Sequence, residues 1–236
     1  MPGAAALLAV WESGLAAGPV RRAVLLHAAA RPGLAADALL ATAVGERDAA
    51  LFGLRAALFG AAMPVRLACP GCGAELEFAF DATAVAALAR PPGEPVAVTE
   101  GEWTVVLRLP TTGDLLDAGT TARGLLARCV VEAGRAGEPA AVDELPDAVV
   151  ARAGEAVAEA DPRADVRFDV GCPDCGAATG AELDIASFLW AELDAWAHAT
   201  LLEVHLLATS YGWREPDVLA LSPARRRRYL ELCGHG

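Results

Sequence analysis

The residues in this chain with an obvious capacity for chemistry are four cysteines in two matching turns. Cys69-Pro70-Gly71-Cys72-Gly73 is followed about a hundred positions later by Cys172-Pro173-Asp174-Cys175-Gly176. The likeness extends to the flanks: Val65-Arg66 and Val166-Arg167 precede the turns, Ala74 and Ala177 follow them, and Asp81 and Asp184 close the segments. In such a turn proline fixes one backbone dihedral, glycine allows a positive one, and both thiolates point at one spot. Two turns facing each other predict a tetrahedral four-thiolate site for one zinc ion, with Cys69, Cys72, Cys172 and Cys175 as ligands. A site closed by four protein ligands leaves no position for substrate, so its role is structural. A disulfide, a thioredoxin-like redox pair and a vestigial motif are the competing readings. Duplication with matching flanks argues against a redox pair. Cys129 and Cys233 lie outside the repeat.

Other candidates are weaker. Arg47, Asp48 and Arg55 fall on a helix expected over 45–59, and two readings apply: a solvated face with local ion pairs, or an anchor for a partner. His198 and His205 lie about 10.5 Å apart along an ideal helix, too far to share one ion, and are read as ordinary polar or packing residues. The run Arg225 to Arg228 points around nearly the whole circumference of a helix, so it forms no flat patch for nucleic acid. The chain holds no phosphate-cradling glycine loop, no Gly-x-Ser-x-Gly elbow and no His-Glu-x-x-His helix. No catalytic residue is assigned, and a non-enzymatic protein is expected.

The elements that must position the cysteines are read from periodicity. Residues 4 to about 60 pattern as helices broken by Gly14, Gly18-Pro19 and Arg31-Pro32-Gly33; the clearest covers 45–59, with Leu51, Leu54, Leu58 and Phe59 at helical spacing. Alternation predicts strands over 64–68 and 75–80 around the first turn, and over 166–170 and 178–183 around the second, where Gly180 weakens the return strand. Between them, 90–95 reads as a rigid proline-rich linker and 103–109 as a strand. Thr111 to Val130 reads as helical, 134–139 as a loop and 146–160 as an alanine-rich helix. After the second hairpin the longest helix of the chain is expected from Asp184 to about Tyr211, apolar on two sides and capped by Gly212. Ser222-Pro223 opens a last helix to Leu232. The expected fold is mainly α, of the α+β class: a helical protein with a small zinc-ribbon hairpin pair split by an insertion. Its parts are an N-terminal helical segment (1–62), a first ribbon hairpin (63–81), an inserted α/β segment (82–165), a second hairpin (166–183) and a C-terminal long helix with its tail (184–236).

Composition bounds the function. Across 236 residues the apolar fraction is 55%, enough for a real core, and lysine is absent, so arginine carries every fixed positive charge. A formal charge of −12 excludes a nonspecific nucleic-acid or anionic-membrane surface, which needs a dense basic patch. No run reaches the roughly 18 uncharged apolar residues of a membrane span. The Ala4 to Val10 stretch lacks a basic leader, so a cytoplasmic protein is expected, with its thiols reduced and available to metal.

Val44-Gly45-Glu46-Arg47-Asp48, Leu54-Arg55, Phe59-Gly60 and the first Cys-Pro-x-Cys-Gly with a strand ending in Asp81 follow an order that resembles the baseplate hub assembly chaperones of T-even-like phages. Asp184-Ile185-Ala186-Ser187-Phe188-Leu189-Trp190, Glu203-Val204-His205, Tyr211-Gly212-Trp213, Leu219-Ala220-Leu221-Ser222, Arg225-Arg226 and Tyr229-Leu230 resemble relatives encoded with bacterial contractile injection systems. The resemblance implies a non-enzymatic assembly factor or minor component of the baseplate or hub, with baseplate or hub proteins as partners, and no catalytic residues. The surface expected to meet them comprises Trp190, Trp196, Tyr211, Trp213, Arg225, Arg226 and Tyr229, together with Arg47, Asp48 and Arg55. The alternatives from other classes are a zinc-ribbon adaptor in transcription or nucleic-acid processing and a thiol oxidoreductase.

Overall fold

The structure, a computed structural model, describes residues 2–88, 95–117 and 121–234. It is a mixed α+β protein. In chain order its elements are α1 (Ala4–Gly14), α2 (Pro19–Ala30), α3 (Ala36–Ala41), α4 (Val44–Phe59), β1 (Ala62–Ala68), β2 (Glu75–Asp81), α5 (Ala82–Ala86), β3 (Val96–Glu100) and β4 (Trp103–Leu107). They continue with α6 (Thr112–Asp117), α7 (Ala122–Cys129), β5 (Val130–Arg135), β6 (Glu138–Pro139), α8 (Asp147–Ala160), β7 (Val166–Gly171), β8 (Ala178–Leu183), α9 (Ile185–Tyr211), α10 (Glu215–Leu219) and α11 (Pro223–Leu232). Two compact units form: Met1–Ala29 with Ala186–Gly236, and Ala30–Ile185.

Within the unit of residues 30–185, α4 buries Leu51 and Phe52 completely, together with Leu54. It also buries Arg47, Asp48 and Arg55, at 5%, 7% and 3% exposure, so the face expected to be solvated is buried, while its local ion pair is present. The physical reason is local pairing. Arg47 Nε donates to Asp48 Oδ1 at 2.7 Å, and Arg55 Nη1 donates to the carbonyls of Gly60 and Ala62, both at 2.6 Å, tying the end of α4 to the start of β1. A buried charge is tolerated where it is paired and hydrogen-bonded. Asp161 joins this region from the far end of the insertion, its Oδ2 accepting the Gly45 amide at 3.0 Å. A Cβ at Gly45 would strike that carboxylate.

The hairpins run two residues further than expected at the first strand. β1 pairs antiparallel with β2 from Ala62↔Asp81 to Ala68↔Glu75, and β7 with β8 from Val166↔Leu183 to Gly171↔Ala178. Asp81 caps α5, its Oδ1 accepting the Thr83 amide at 2.8 Å.

Between the hairpins the insertion departs most from expectation. Where periodicity gave one strand, a loop and a continuous helix, there is a four-stranded antiparallel sheet in the order β3-β4-β5-β6. The predicted loop over 134–139 is a tight turn: Arg135 pairs with Glu138 across Ala136 and Gly137, both in the left-handed region at φ 51° and 87°. The predicted helix to Val130 is two short ones, α6 and α7, with 118–120 outside the described residues. Residues 90–94 of the expected linker also lie outside them. One face of the sheet packs on α7 and α8 around Val98, Val105, Leu107, Leu126, Val149 and Ala153.

In the other unit, α9 runs 27 residues, beginning one residue after the expected Asp184 and ending at Tyr211 as expected. It stops at Gly212, whose φ is 68° and whose amide donates to the Ala208 carbonyl at 2.8 Å. That glycine termination uses the conformation other residues avoid. Ser222 caps α11 by accepting the Arg225 amide at 3.3 Å. The short α10, unforeseen, contributes fully buried Val218 to a small core with Val204, Leu207 and Leu230. No helix among the described residues is long and apolar enough to cross a membrane.

Candidate metal centre

Each cysteine turn is built by the same backbone device. The Cys69 amide donates to the Ala74 carbonyl at 2.8 Å and the Gly73 amide to the Cys69 carbonyl at 2.8 Å; in the second copy the Cys172 amide donates to Ala177 and the Gly176 amide to Cys172, both at 2.9 Å. Gly73 and Gly176 take positive φ, 77° and 72°. The repeated flanks are therefore repeated hydrogen bonds, with Ala74 and Ala177 as the acceptors that return each chain into its second strand.

The two turns meet within the unit of residues 30–185. Cys69 Sγ lies 3.6 Å from Cys175 Sγ, and Cys72 Sγ lies 3.7 Å from Cys172 Sγ. All four sulfurs fall within 4.8 Å of one another. Four sulfurs bound tetrahedrally at about 2.3 Å from one ion would stand about 3.8 Å apart, so the observed spacing fits a metal ion. Both of these sulfur pairs join different hairpins, so the cluster is a junction of two segments. Cys69 and Cys172 are buried with Leu76, against Leu67, Ala74, Val170 and Ala177; Cys72 and Cys175 are exposed. Gly71 makes the approach possible, since a Cβ there would lie 3.3 Å from the Ala177 Cβ and 3.4 Å from Cys175 Sγ. At the other end of the strands Phe168 packs against Phe78 and Phe80, with ring centroids 5.4 and 4.7 Å away. The hairpins are thus joined at tip and base.

The electrostatics favour a cation at the junction. Amides of Cys72 and Gly71 donate to the Cys69 sulfur and lower its thiol to about 6. Against the pull of the Ala74 amide, hydrogen bonding with the sulfurs of Cys175 and Cys172 pushes the Cys72 thiol up to about 12. One thiolate forms readily while the Cys72 and Cys175 thiols resist joining it, as expected where like charges crowd one site. A bound cation removes that conflict and lets all four ligate.

The remaining predicted residues divide between the two units. Trp190 is buried, with Gly14 against its ring and the Arg22 guanidinium 4.6 Å from its centroid. Trp196 is half-buried. Arg226 is buried, its Nε donating to Glu203 at 2.6 Å and its Nη1 to the Leu221 carbonyl at 2.9 Å, whereas Arg225 is exposed. Trp190 and Arg226 thus make packing contacts within their unit. Tyr211, Trp213 and Tyr229 do come together: Trp213 stacks on Tyr211 at 4.8 Å and meets Tyr229 edge-on at 4.8 Å, with Tyr211 exposed. His198 and His205 are exposed on α9. Sequence reasoning missed the joining phenylalanines as a set and the buried Asp161 and Arg163. The Phe78 and Phe80 alternation was visible, but nothing local pairs it with Phe168, and Gly45 lies 116 positions from Asp161.

No curated protein and no solved structure matches the chain. A family model described as T4 bacteriophage base plate protein matches residues 34–190, well over half of the chain and including both cysteine turns. By that match the chain belongs to the T4 bacteriophage base plate protein family.

Proposed function

We propose that the protein is a non-enzymatic assembly chaperone for the base plate or hub of a phage-tail-like contractile particle, built around one structural zinc ion. The observation that carries the reading is the convergence of four cysteine sulfurs from two hairpins within a chain of the base plate family. Cys69, Cys72, Cys172 and Cys175 would hold the ion; soft thiolates in tetrahedral array suit zinc, and a four-thiolate shell leaves it without an open position. Bound zinc supplies charge neutralisation and a crosslink, and no reaction. Residues 63–81 and 166–183 are then halves of one ribbon split by the insertion at 82–165, flanked by helical segments 1–62 and 184–236. In a reducing cytoplasm the thiols stay available to the metal.

The holding function falls to exposed aromatic and apolar surface. Exposed Tyr211 with half-buried Trp213 and Tyr229 presents an aromatic cluster, with Trp196 and Arg225 as further contacts, and aromatic and arginine side chains are the usual anchors of protein interfaces. These residues cover a base plate or hub subunit before it is incorporated.

Two measurements test the parts separately. Purified protein should contain one zinc per chain by plasma mass spectrometry and show no disulfide reductase activity; zinc-free protein with reductase activity would establish the oxidoreductase reading instead. Cells lacking the gene should make sheath and tube proteins yet assemble no complete particles. Complete, firing particles in that strain would overturn the chaperone role. Filter binding at moderate salt should retain little nucleic acid, as the −12 charge requires.

A further inference from the structure

The net charge of the chain is confined to one part of it. Residues 30–185 carry 24 acidic side chains against 12 arginines, whereas the other unit carries 7 of each, so the whole −12 belongs to the unit that holds the cysteines and the insertion. Within that unit, among the described residues, helices cover one face of the four-stranded sheet. The opposite face carries Thr104 and Val106 of β4 and Glu132 and Gly134 of β5, paired as Thr104↔Gly134 and Val106↔Glu132. With the Glu138 end of β6 as a wall, these residues line a trough of about 550 Å³. Its floor is small or β-branched, and its only charged lining residues are Glu132 and Glu138, both exposed and neither in an ion pair among the described residues.

The strand beside the trough is incompletely paired. β6 pairs with β5 at Gly134 and Arg135, and the Ala140 amide still reaches the Ala133 carbonyl, so among the described residues β5 lacks a neighbouring strand on that side along Val130–Glu132; Val131, 56% exposed, is the residue that the register shift against β4 leaves without a partner. An exposed strand edge is a template for another strand, and alternate side chains of an added strand enter the groove beside it.

We propose that this edge and trough form a docking site for an extended segment of a partner protein, one that bears an arginine or lysine facing Glu132 and Glu138. Three features select that occupant. The free edge demands an extended backbone, the small floor admits side chains to full depth, and two carboxylates in an acidic unit attract a cation and repel acidic segments. The proposal involves neither the aromatic cluster of Tyr211, Trp213 and Tyr229 nor the metal nor the chaperone role.

The test uses the full-length protein and arrayed overlapping peptides covering the base plate, hub and tube proteins of the same genome. Wild type should bind extended basic segments. Charge reversal in E132R/E138R and filling of the trough in T104W should each weaken that binding by about tenfold or more, with unchanged circular dichroism and melting. Binding that both folded variants retain at wild-type strength, preference for acidic or helical segments, or no binding to any peptide would overturn the proposal. The chaperone reading is judged separately, by particle assembly in the deletion strain.

Discussion

Asp114 shows how much a single carboxylate contributes when every lone pair is used. Arg108 donates to both of its oxygens, at 2.6 and 2.8 Å, Arg128 Nε reaches it at 3.3 Å, and the amide and hydroxyl of Thr111 donate at 2.8 and 2.7 Å. The Arg108 guanidinium, helped by Thr111 and opposed by burial, holds this carboxyl well below the usual carboxylate range. A folded-state value below the unfolded one means stability that is complete above about pH 4 and lost as the pH falls further toward the folded value. The Asp114→Asn variant should therefore be about 2–3 kcal/mol less stable than wild type in urea at pH 7, with the difference shrinking below about pH 4. A gap that stayed constant to pH 3 would show that Asp114 does not act through its charge. Gly45 makes a different kind of demand. Any Cβ there displaces the Asp161 carboxylate from the amide it accepts, so Gly45→Ala should cost about 2–4 kcal/mol despite the higher helix propensity of alanine.

The turn between β5 and β6 carries the corresponding lesson for elements. A two-residue hairpin loop with both residues at positive φ is the type that matches strand twist, and its favoured sequence is Asn-Gly. Here alanine occupies the first place at φ 51°, a conformation that costs a side-chain-bearing residue about 1 kcal/mol. Ala136→Asn should therefore raise stability by about 0.5–1 kcal/mol, measured by urea denaturation; a decrease would mean that the turn is not as described. The same turn explains why this sheet was illegible in the sequence. Without Asn, Gly134 to Pro139 reads as an irregular loop. Val130 extends the leucine-rich run of α7, so it reads as helix, and the two residues of β6 have no periodicity at all. Elements with a local signal were legible: α4 and α8 by spacing, α9 by its length and Gly212, α11 by Ser222-Pro223, and both hairpins by the cysteine turns they flank. The centre was legible for the same reason, because a repeated turn with repeated flanks is local information. What stayed hidden depended on distant partners. Arg47 and Asp48 look solvated until the fold brings Asp161 and Arg163 into the same buried region, and α10 is defined mainly by the core that Val218 completes.

For the whole molecule, the decisive asymmetry lies between two cores of the unit of residues 30–185. The insertion has a well-filled core of Val98, Val105, Leu107, Leu126, Val149 and Ala153 that owes nothing to cysteine ligation. At their tips the paired hairpins bury Leu76 with Cys69 and Cys172 against half-buried Leu67, Ala74, Val170 and Ala177, too little apolar surface to hold crowded thiolates together. Their ligands are also far apart in sequence, with 100 positions between Cys72 and Cys172, so metal binding closes a long loop and its free energy becomes folding free energy. Removing the metal should consequently act on one part of the molecule before the other. Chelation, or Cys69→Ser with Cys172→Ser, should lower the melting temperature by about 10 °C and abolish bound metal. Amide hydrogen exchange should then locate the loss. Protection should disappear across β1, β2, β7 and β8 while persisting at Val98, Val105 and Leu107, because those amides belong to a sheet that stays packed on α7 and α8. Uniform loss of protection would make the metal a keystone of the entire unit, and unchanged melting in the double variant would mean that the four sulfurs converge without holding anything. The selective pattern is expected because the Phe78, Phe80 and Phe168 contacts at the base of the hairpins provide a second tie that is too small to act alone.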